Sequence, residues 1–462
     1  MLTQEKVSSI NKKLNEFCEK NNVPGMAFAI TSSGKPIYEK FYGYRDVDHK
    51  LPVNANTIFG VASITKSFAA LAIMQLEDAG RLSVEDAVTK WLPEFKLPNK
   101  TYQENVQIHH LLTHSSGLPG MGAVNLARAE SIRKDPDGEV LRPALFAEDD
   151  TPAIKTVIEL MNEMAKTKYE LLGAPGTAFN YSNEGYALLQ GIIERASGQP
   201  FLDYMEENVL TPLNMNRSLF RTEDLDHFDN VTELYAYDKE GKVFHSPAWW
   251  DVGDIYTNGS LKTSITDLLK YAEVYCQHGT VNGTKILSEE SVDKMVTPHI
   301  TMPTEDTYGY GLQVDYFDGI KLFGHGGGIK GVSSHFKVVP SKDLAIAVIV
   351  NLAEVPVATI TDIILKEILD VSTEESIKPT YVMDEESLQT YVGDYQSKEG
   401  QQVQTVISDG LLNLQIGKKQ IPLHPYSENG FYTSEGQKVV FLMTKSGDVS
   451  GLFRGKRFIP KV

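Results

Sequence analysis

Gly324-His325-Gly326-Gly327-Gly328-Ile329-Lys330-Gly331-Val332-Ser333-Ser334 is the stretch on which the fold turns. Gly326, Gly328 and Gly331 fit the G-x-G-x-x-G spacing of a dinucleotide cradle, but that fingerprint must open a helix whose first amides hold the pyrophosphate. Here the glycines lead instead into Val332 to Pro340, rich in β-branched and aromatic residues and stopped by a proline. After a turn at Pro340-Ser341-Lys342-Asp343 comes the apolar run Leu344 to Val350. That is the pattern of two strands. His325 to Gly328 also spell the HGGG of a lipase oxyanion loop, yet no Gly-x-Ser-x-Gly elbow occurs in the chain to supply the nucleophile. The glycines therefore sit beside an antiparallel sheet, and a third reading, the far wall of a serine hydrolase site whose nucleophile lies far upstream, stays open at this point.

The chain has 462 residues, more than a single core usually organises, which predicts two domains. A formal net charge of −17 argues against nucleic acid and anionic membrane as partners, since both reward Lys and Arg. Residues 381–462 carry as many basic as acidic side chains, so the excess acid lies before them. The N-terminal stretch MLTQEKVSSINKKLNEFCEK has no apolar core of the signal-peptide kind, and no segment approaches a membrane span. Cys18 and Cys276 are too few for a disulfide framework and read as buried small residues. The expectation is a cytoplasmic protein.

Val7, Ile10, Leu14 and Phe17 recur at helical spacing, and two strands around Ser32-Ser33-Gly34 succeed them as a hairpin. Ser63 to Ala79 is apolar all round, which predicts a central buried helix ended by Gly80. Residues 85–300 read as helices and loops, with a charged insertion or lid around Arg128 to Asp150. Strands return at Tyr308–Tyr316, Gly319–Phe323, Val332–Val339 and Leu344–Asn351, before a closing helix through Ile360, Ile364 and Ile368. The fold class is α+β: an antiparallel sheet completed by both ends of the domain (1–371), flanked by helices, with an all-α subdomain inserted. A polar linker spans 372–387. Residues 388–462 hold eight short strands parted by Asp409-Gly410, Asn429-Gly430, Glu435-Gly436 and Ser446-Gly447, an up-and-down, lipocalin-like β-barrel.

Ser63 and Lys66 stand one helical turn apart at the start of the buried helix, so amine and hydroxyl share a face. A serine needs a base, and a lysine serves only where desolvation keeps it neutral. At a helix N-terminus, Ser63 also aims its own N–H at an oxyanion. Further on, Tyr181 and Asn183 offer a phenol able to shuttle a proton and an amide able to hold lysine or substrate. His110 and His114 have metal-site spacing, but Leu111 replaces the glutamate of His-Glu-x-x-His; they read as structural, and neither metal nor cofactor is expected.

Ser63-x-x-Lys66, then His110 to Pro119, then Tyr181-x-Asn183, then His325-x-Gly327 resemble, in order, the serine β-lactamase and penicillin-binding-protein-like hydrolases. The nearest branch is that of class C β-lactamases, D-alanyl-D-alanine carboxypeptidases and D-aminopeptidases. The resemblance implies that Ser63 is acylated, that Lys66 and Tyr181 transfer protons, and that Asn183 binds Lys66 and substrate. His325, Gly326 and Gly327 would close the site, and the N–H of Gly328 would be the second oxyanion donor. It implies a hydrolase of small peptides or amides; the alternatives are a carboxylesterase or weak β-lactamase using the same atoms, and a non-catalytic binding or scaffold protein. His325 replaces the lysine common in β-lactamases, so the expectation is a ring titrating near neutrality, a pH–rate limb owed to it, and poor β-lactam hydrolysis. The barrel resembles accessory domains of related peptidases that shape the cleft or assemble homo-oligomers. If it does only that, a chain ending near Ser372 should still react with an active-site label.

Overall fold

The computed structural model describes residues 2–141, 153–371, 381–417, 419–434 and 436–462. Nine antiparallel strands form the spine of the larger domain. Across the sheet they run Ile300–Thr301, Thr307–Tyr308, Gln313–Phe317, Ile320–Ile329, Val332–Val339, Leu344–Val350, Gly25–Ser32, Lys35–Asp46 and Leu51–Pro52. Met26 faces Val350 and Ser32 faces Leu344, so both ends of the domain complete one sheet, as expected.

Both faces of the central strands are covered, which is why they read as near-continuous apolar runs. Phe28, Ile346 and Val348 meet Ile10 and Leu14 of the helix Gln4–Lys20 and Ile364 of the helix Val357–Ile368. Ala27, Ala29, Ala347 and Ile349 face the opposite core, shared with the helices Ile265–Cys276 and Thr65–Asp78. The latter is buried continuously from Thr65 to Met74 and is entered through a 3-10 turn, Ala62–Ile64. Of the insertion read at Arg128 to Asp150, the described part forms short helices, Ala129–Lys134 and Gly138–Leu141; residues 142–150 lie outside the described residues. A three-stranded sheet of Phe59–Gly60, Lys262–Thr263 and Ser218–Leu219, not anticipated, fixes the approach to the 3-10 turn.

Residues 372–380 of the linker lie outside the described residues. Within its remainder the short helix Glu385–Leu388 begins, and Leu388 packs into the barrel. The barrel is a meander from Gly393–Gln396 to Arg457–Pro460 around Leu412, Leu414, Leu423, Phe431 and Leu452. A bridge between Tyr395 and Lys461 and a bond from Val462 N to Asp394 O (2.9 Å) close it. Glu435, of the expected Glu435-Gly436 turn, lies outside the described residues.

The two units share an apolar contact. Phe453, with Phe458 and Val440 beside it, packs on Phe179, Tyr181, Met302 and Tyr308. Phe453 is 1% exposed, so Phe453→Ala should cost about 3–5 kcal/mol, seen as an earlier urea midpoint. Val382→Ala, at a side chain 94% exposed, should leave the midpoint in place.

Candidate active site

The site forms where the 3-10 turn Ala62–Ile64 lies over the glycine strand. Ser334 Oγ donates to Val61 O (2.8 Å) and anchors the turn. A Cβ on Gly327 would stand 2.0 Å from Val61 O and 3.0 Å from Ser63 N, so only glycine admits this approach. Ala62 pays for the turn with a left-handed backbone (φ 46°), a strained conformation of the kind concentrated at functional sites.

The strand Ile320–Ile329 runs on past its neighbour: Gln313–Phe317 pairs with Ile320 to Gly324 only. On the other side Ile329 pairs with Val332 around Lys330-Gly331, and Gly328 with Ser333. The alternation of antiparallel pairing then turns the N–H groups of Gly326 and Gly328 to the edge left free. Gly328 has open space where a Cβ would be. Lys330 steadies the hairpin tip through an ion pair with Asp135, which also accepts from Trp250 Nε1 (2.7 Å).

Ser63, Tyr181, Asn183, His325, Gly326, Gly327 and Gly328 all line one cleft of about 460 Å³. Lys66 lies beneath it, wholly buried, with Nζ 3.3 Å from Ser63 Oγ and 2.7 Å from Asn258 O. Burial drives its pKa well below the ordinary lysine value, and the Arg457 and Arg128 guanidiniums push the same way; Glu399 and Glu184 offset part of it. Asn183 shares the cleft, but the hydrogen-bond partners of Lys66 are Ser63 and Asn258; the amide expected to hold the lysine does not reach it. Burial lifts the Tyr181 phenol to about 12, eased by the Ser63 hydroxyl and Arg457. The Lys66 amine lies 4.9 Å from the centre of its ring.

His325 corrects an expectation. It is 2% exposed, with Nδ1 2.6 Å from Gly326 O and Nε2 3.0 Å from Tyr308 OH. The first contact requires Nδ1–H as donor, which leaves Nε2 to accept from the phenol. Burial, reinforced by Lys456 and Lys66, pushes its pKa well below the ordinary value. Its enclosure and these two contacts favour the neutral ring, against the expectation of a group titrating near neutrality. His114, read as structural, accepts from Ser182 N at Nδ1 (3.0 Å) and lies tilted against the Tyr181 ring, with centroids 4.2 Å apart. His110 accepts from Gln107 N instead, so the pair serves separate turns.

The barrel forms part of the cleft. Glu399, Gln401, Gly455, Lys456 and Arg457 line it with Asn125 and Arg128. Tyr181 N donates to Lys456 O (3.0 Å), Phe458 N to Asn180 Oδ1 (2.9 Å), and Arg457 lies 4.8 Å over the Tyr181 ring while pairing with Glu399 at 2.7 Å. No sequence pattern announces these residues. A polar residue at a hairpin tip looks like ordinary solvated surface.

This sheet, with its serine–lysine turn against a glycine strand, is the β-lactamase-like fold. The Beta-lactamase family profile matches residues 10–368, and the chain belongs to that family, whose members are serine hydrolases. A solved structure of an octameric penicillin-binding protein homologue from Pyrococcus abyssi is 31% identical, with a TM-score of 0.72 over 95% of this chain and 96% of that one. Penicillin-binding protein 4* of Bacillus subtilis (strain 168) is 26% identical over 93% of this chain and 92% of its own length. Protein flp of Staphylococcus aureus (strain MW2) is 28% identical over 76% of this chain, which spans 64% of that protein.

Two variants test this geometry. Gly327→Ala must displace the serine turn, and a misplacement of about 1 Å can cost on the order of 100-fold; the labelling rate of Ser63 by a fluorophosphonate should fall accordingly. A chain ending near Ser372, expected from sequence still to react with the label if the barrel only walls the cleft or assembles oligomers, loses the backbone partner of Tyr181 and uncovers Phe179 and Tyr308. Its labelling should slow by at least tenfold, and wild-type labelling would show that the barrel contacts are dispensable.

Proposed function

We propose that the protein is a serine acyl-transfer hydrolase that forms an acyl-enzyme on Ser63 and cleaves small peptides or amides, in the manner of D-aminopeptidases and carboxypeptidases. The observation that supports it most is a wholly buried amine, Lys66 Nζ, 3.3 Å from the Ser63 hydroxyl and bonded otherwise to a carbonyl. An amine so placed favours the neutral form, and a neutral amine beside a hydroxyl is a base.

Ser63 Oγ attacks the substrate carbonyl carbon while its proton passes to Lys66. The carbonyl oxygen becomes an oxyanion, met by the N–H groups of Ser63 and Gly328. Collapse breaks the bond to the leaving amine, which takes the proton back from Lys66 through Tyr181. Water then attacks the ester carbonyl, giving its proton to the same pair and releasing the acid and free Ser63. Tyr181, held high by burial, acts as a protonated relay rather than a phenolate. Assembly into a homo-oligomer is part of the proposal, supported by the octameric description of the Pyrococcus abyssi relative.

Ser63→Ala should abolish fluorophosphonate labelling and turnover of D- and L-amino acid p-nitroanilides; an adduct elsewhere on the variant would remove Ser63 from the role. Lys66→Met should lose about 10²–10⁴-fold in rate. The acid limb of kcat/KM should follow the depressed Lys66 pKa, because protonation removes the base. Arg457 holds that pKa down, so Arg457→Gln raises it and should move the limb to higher pH. A limb that stays in place, or moves down, would mean that Lys66 is not the titrating base.

A further inference from the structure

At the end of the central strands opposite the cleft, the helix Ile265–Cys276 finishes beside the hairpin tip Ser32-Ser33-Gly34 and the turn that precedes Leu344. Glu273 and Cys276 stand three apart on that helix and so share a face. Leu344 pairs with Ser32, which carries Asp343 to the same corner. A carboxylate oxygen of Glu273, the sulfur of Cys276 and a carboxylate oxygen of Asp343 thereby come within 4.8 Å of one another.

Glu273 is 4% and Cys276 8% exposed. Each oxygen of Glu273 is held by a donor, Thr31 Oγ1 at 3.3 Å and Gln277 Nε2 at 3.1 Å. Asp343 receives the Ser33 hydroxyl at Oδ2, while its Oδ1 is buried with no hydrogen-bond partner among the described residues. The Cys276 thiol also has no hydrogen bond among the described residues, whereas the Sγ of Cys18 meets Met26 Sδ at 3.6 Å. Burial, then Glu273 and Asp343, push the Cys276 thiol up in pKa, and burial with Asp343 raises Glu273. No cation among the described residues enters the balance at the thiol. Two acids and an idle thiol enclosed together are costly unless a positive charge joins them.

We infer that Glu273, Cys276 and Asp343 bind a divalent transition-metal ion of the zinc class, with water in the fourth position, and that the ion clamps the end of the helix to the hairpin tip and to the turn between the central strands. Zinc bonds of about 2.0–2.3 Å in a tetrahedron set ligand atoms roughly 3.3–3.5 Å apart, so the three need only draw in by about 1 Å. The sulfur selects zinc-like ions over magnesium and calcium, which take oxygen ligands. The last carbonyls of the helix add negative potential at this end, and Thr31 and Gln277 fix the orientation of the Glu273 carboxylate. On binding, the thiol proton leaves to solvent as the sulfur–metal bond forms, and no electrons are transferred. Ser63 and the glycine strand take no part, so the inference does not depend on the acyl-transfer reading.

Cobalt(II) is a suitable probe, because a thiolate bound to it absorbs in the near ultraviolet and Cys18 and Cys276 are the only thiols in the chain. The full-length protein, stripped with a chelator, should take up one equivalent of cobalt with a thiolate-to-cobalt band. Zinc should discharge the band, and a large excess of magnesium should not. The band should persist in Cys18→Ala and vanish in Cys276→Ala, while Glu273→Gln and Asp343→Asn should each weaken zinc at least tenfold in competition. Zinc should raise the unfolding temperature of the unmodified chain and leave that of Asp343→Asn nearly unchanged. Circular dichroism checks that the variants fold; should Cys276→Ala fail to, Asp343→Asn, at a half-buried turn residue, decides the matter. No band in the unmodified chain, a band that survives Cys276→Ala or is lost with Cys18→Ala, or a zinc affinity untouched by Asp343→Asn would overturn the inference.

Discussion

Burying the amine of Lys66 at the start of a largely apolar, buried helix removes it from water. With only the Ser63 hydroxyl and the Asn258 carbonyl to receive its protons among the described residues, the ammonium form is disfavoured. An isolated buried charge is among the most expensive features a fold can carry, and neutralisation is the usual escape. The rest of the domain serves that condition. The helix from Thr65 to Met74 is buried without interruption, the serine turn is pressed on a glycine that admits no side chain, and aromatic rings from Tyr181 and Tyr186 lie within 6 Å of the amine. Glu184, buried nearby with its pKa raised to about 7 by burial and Glu399, avoids full ionisation for the same reason.

The barrel enters this balance of charge from outside. Arg457 rests on the Tyr181 ring, pairs with Glu399 of its own domain and helps to keep Lys66 neutral. One guanidinium thereby docks a domain, covers a phenol and biases a base. Coulomb attraction and repulsion are strongest where water is excluded, and the hairpin excludes it while bringing the charges. The cleft is therefore a product of the interface as much as of the larger domain.

Most of the scaffold is legible in the sequence because its determinants are local. Near-continuous apolar runs mark the central sheet, short strands parted by glycine turns mark the barrel, and a long apolar stretch marks the central helix. The ordered Ser63, Lys66, Tyr181 and His325 motifs mark the cleft. The strand through His325 to Ile329 looks cut short in the sequence because glycines have no side chain to register a β pattern; only pairing with Val332–Val339 reveals it. Asn258, which holds Lys66 through a backbone carbonyl, leaves no trace, since any residue has a carbonyl. His325 misleads for a related reason: its identity is visible in sequence, but its burial against Tyr308 is a tertiary fact. Lys456 and Arg457 are hidden by distance along the chain, and no periodicity links a hairpin tip to a cleft in another domain.

That the partner of Tyr181 N is the carbonyl of Lys456 has a bearing on how the molecule comes into being. A ribosome delivers the chain from its N-terminus at about 5–20 residues per second, and domains fold as they emerge. The serine, the lysine and the glycine strand are therefore in place while the hairpin that seats the tyrosine and walls the cleft is still unmade. For that interval the nascent chain has Ser63, Lys66 and the glycine strand but not the barrel wall of its cleft. The order of synthesis works as a timer, since the cleft gains its last wall only when the second domain has arrived.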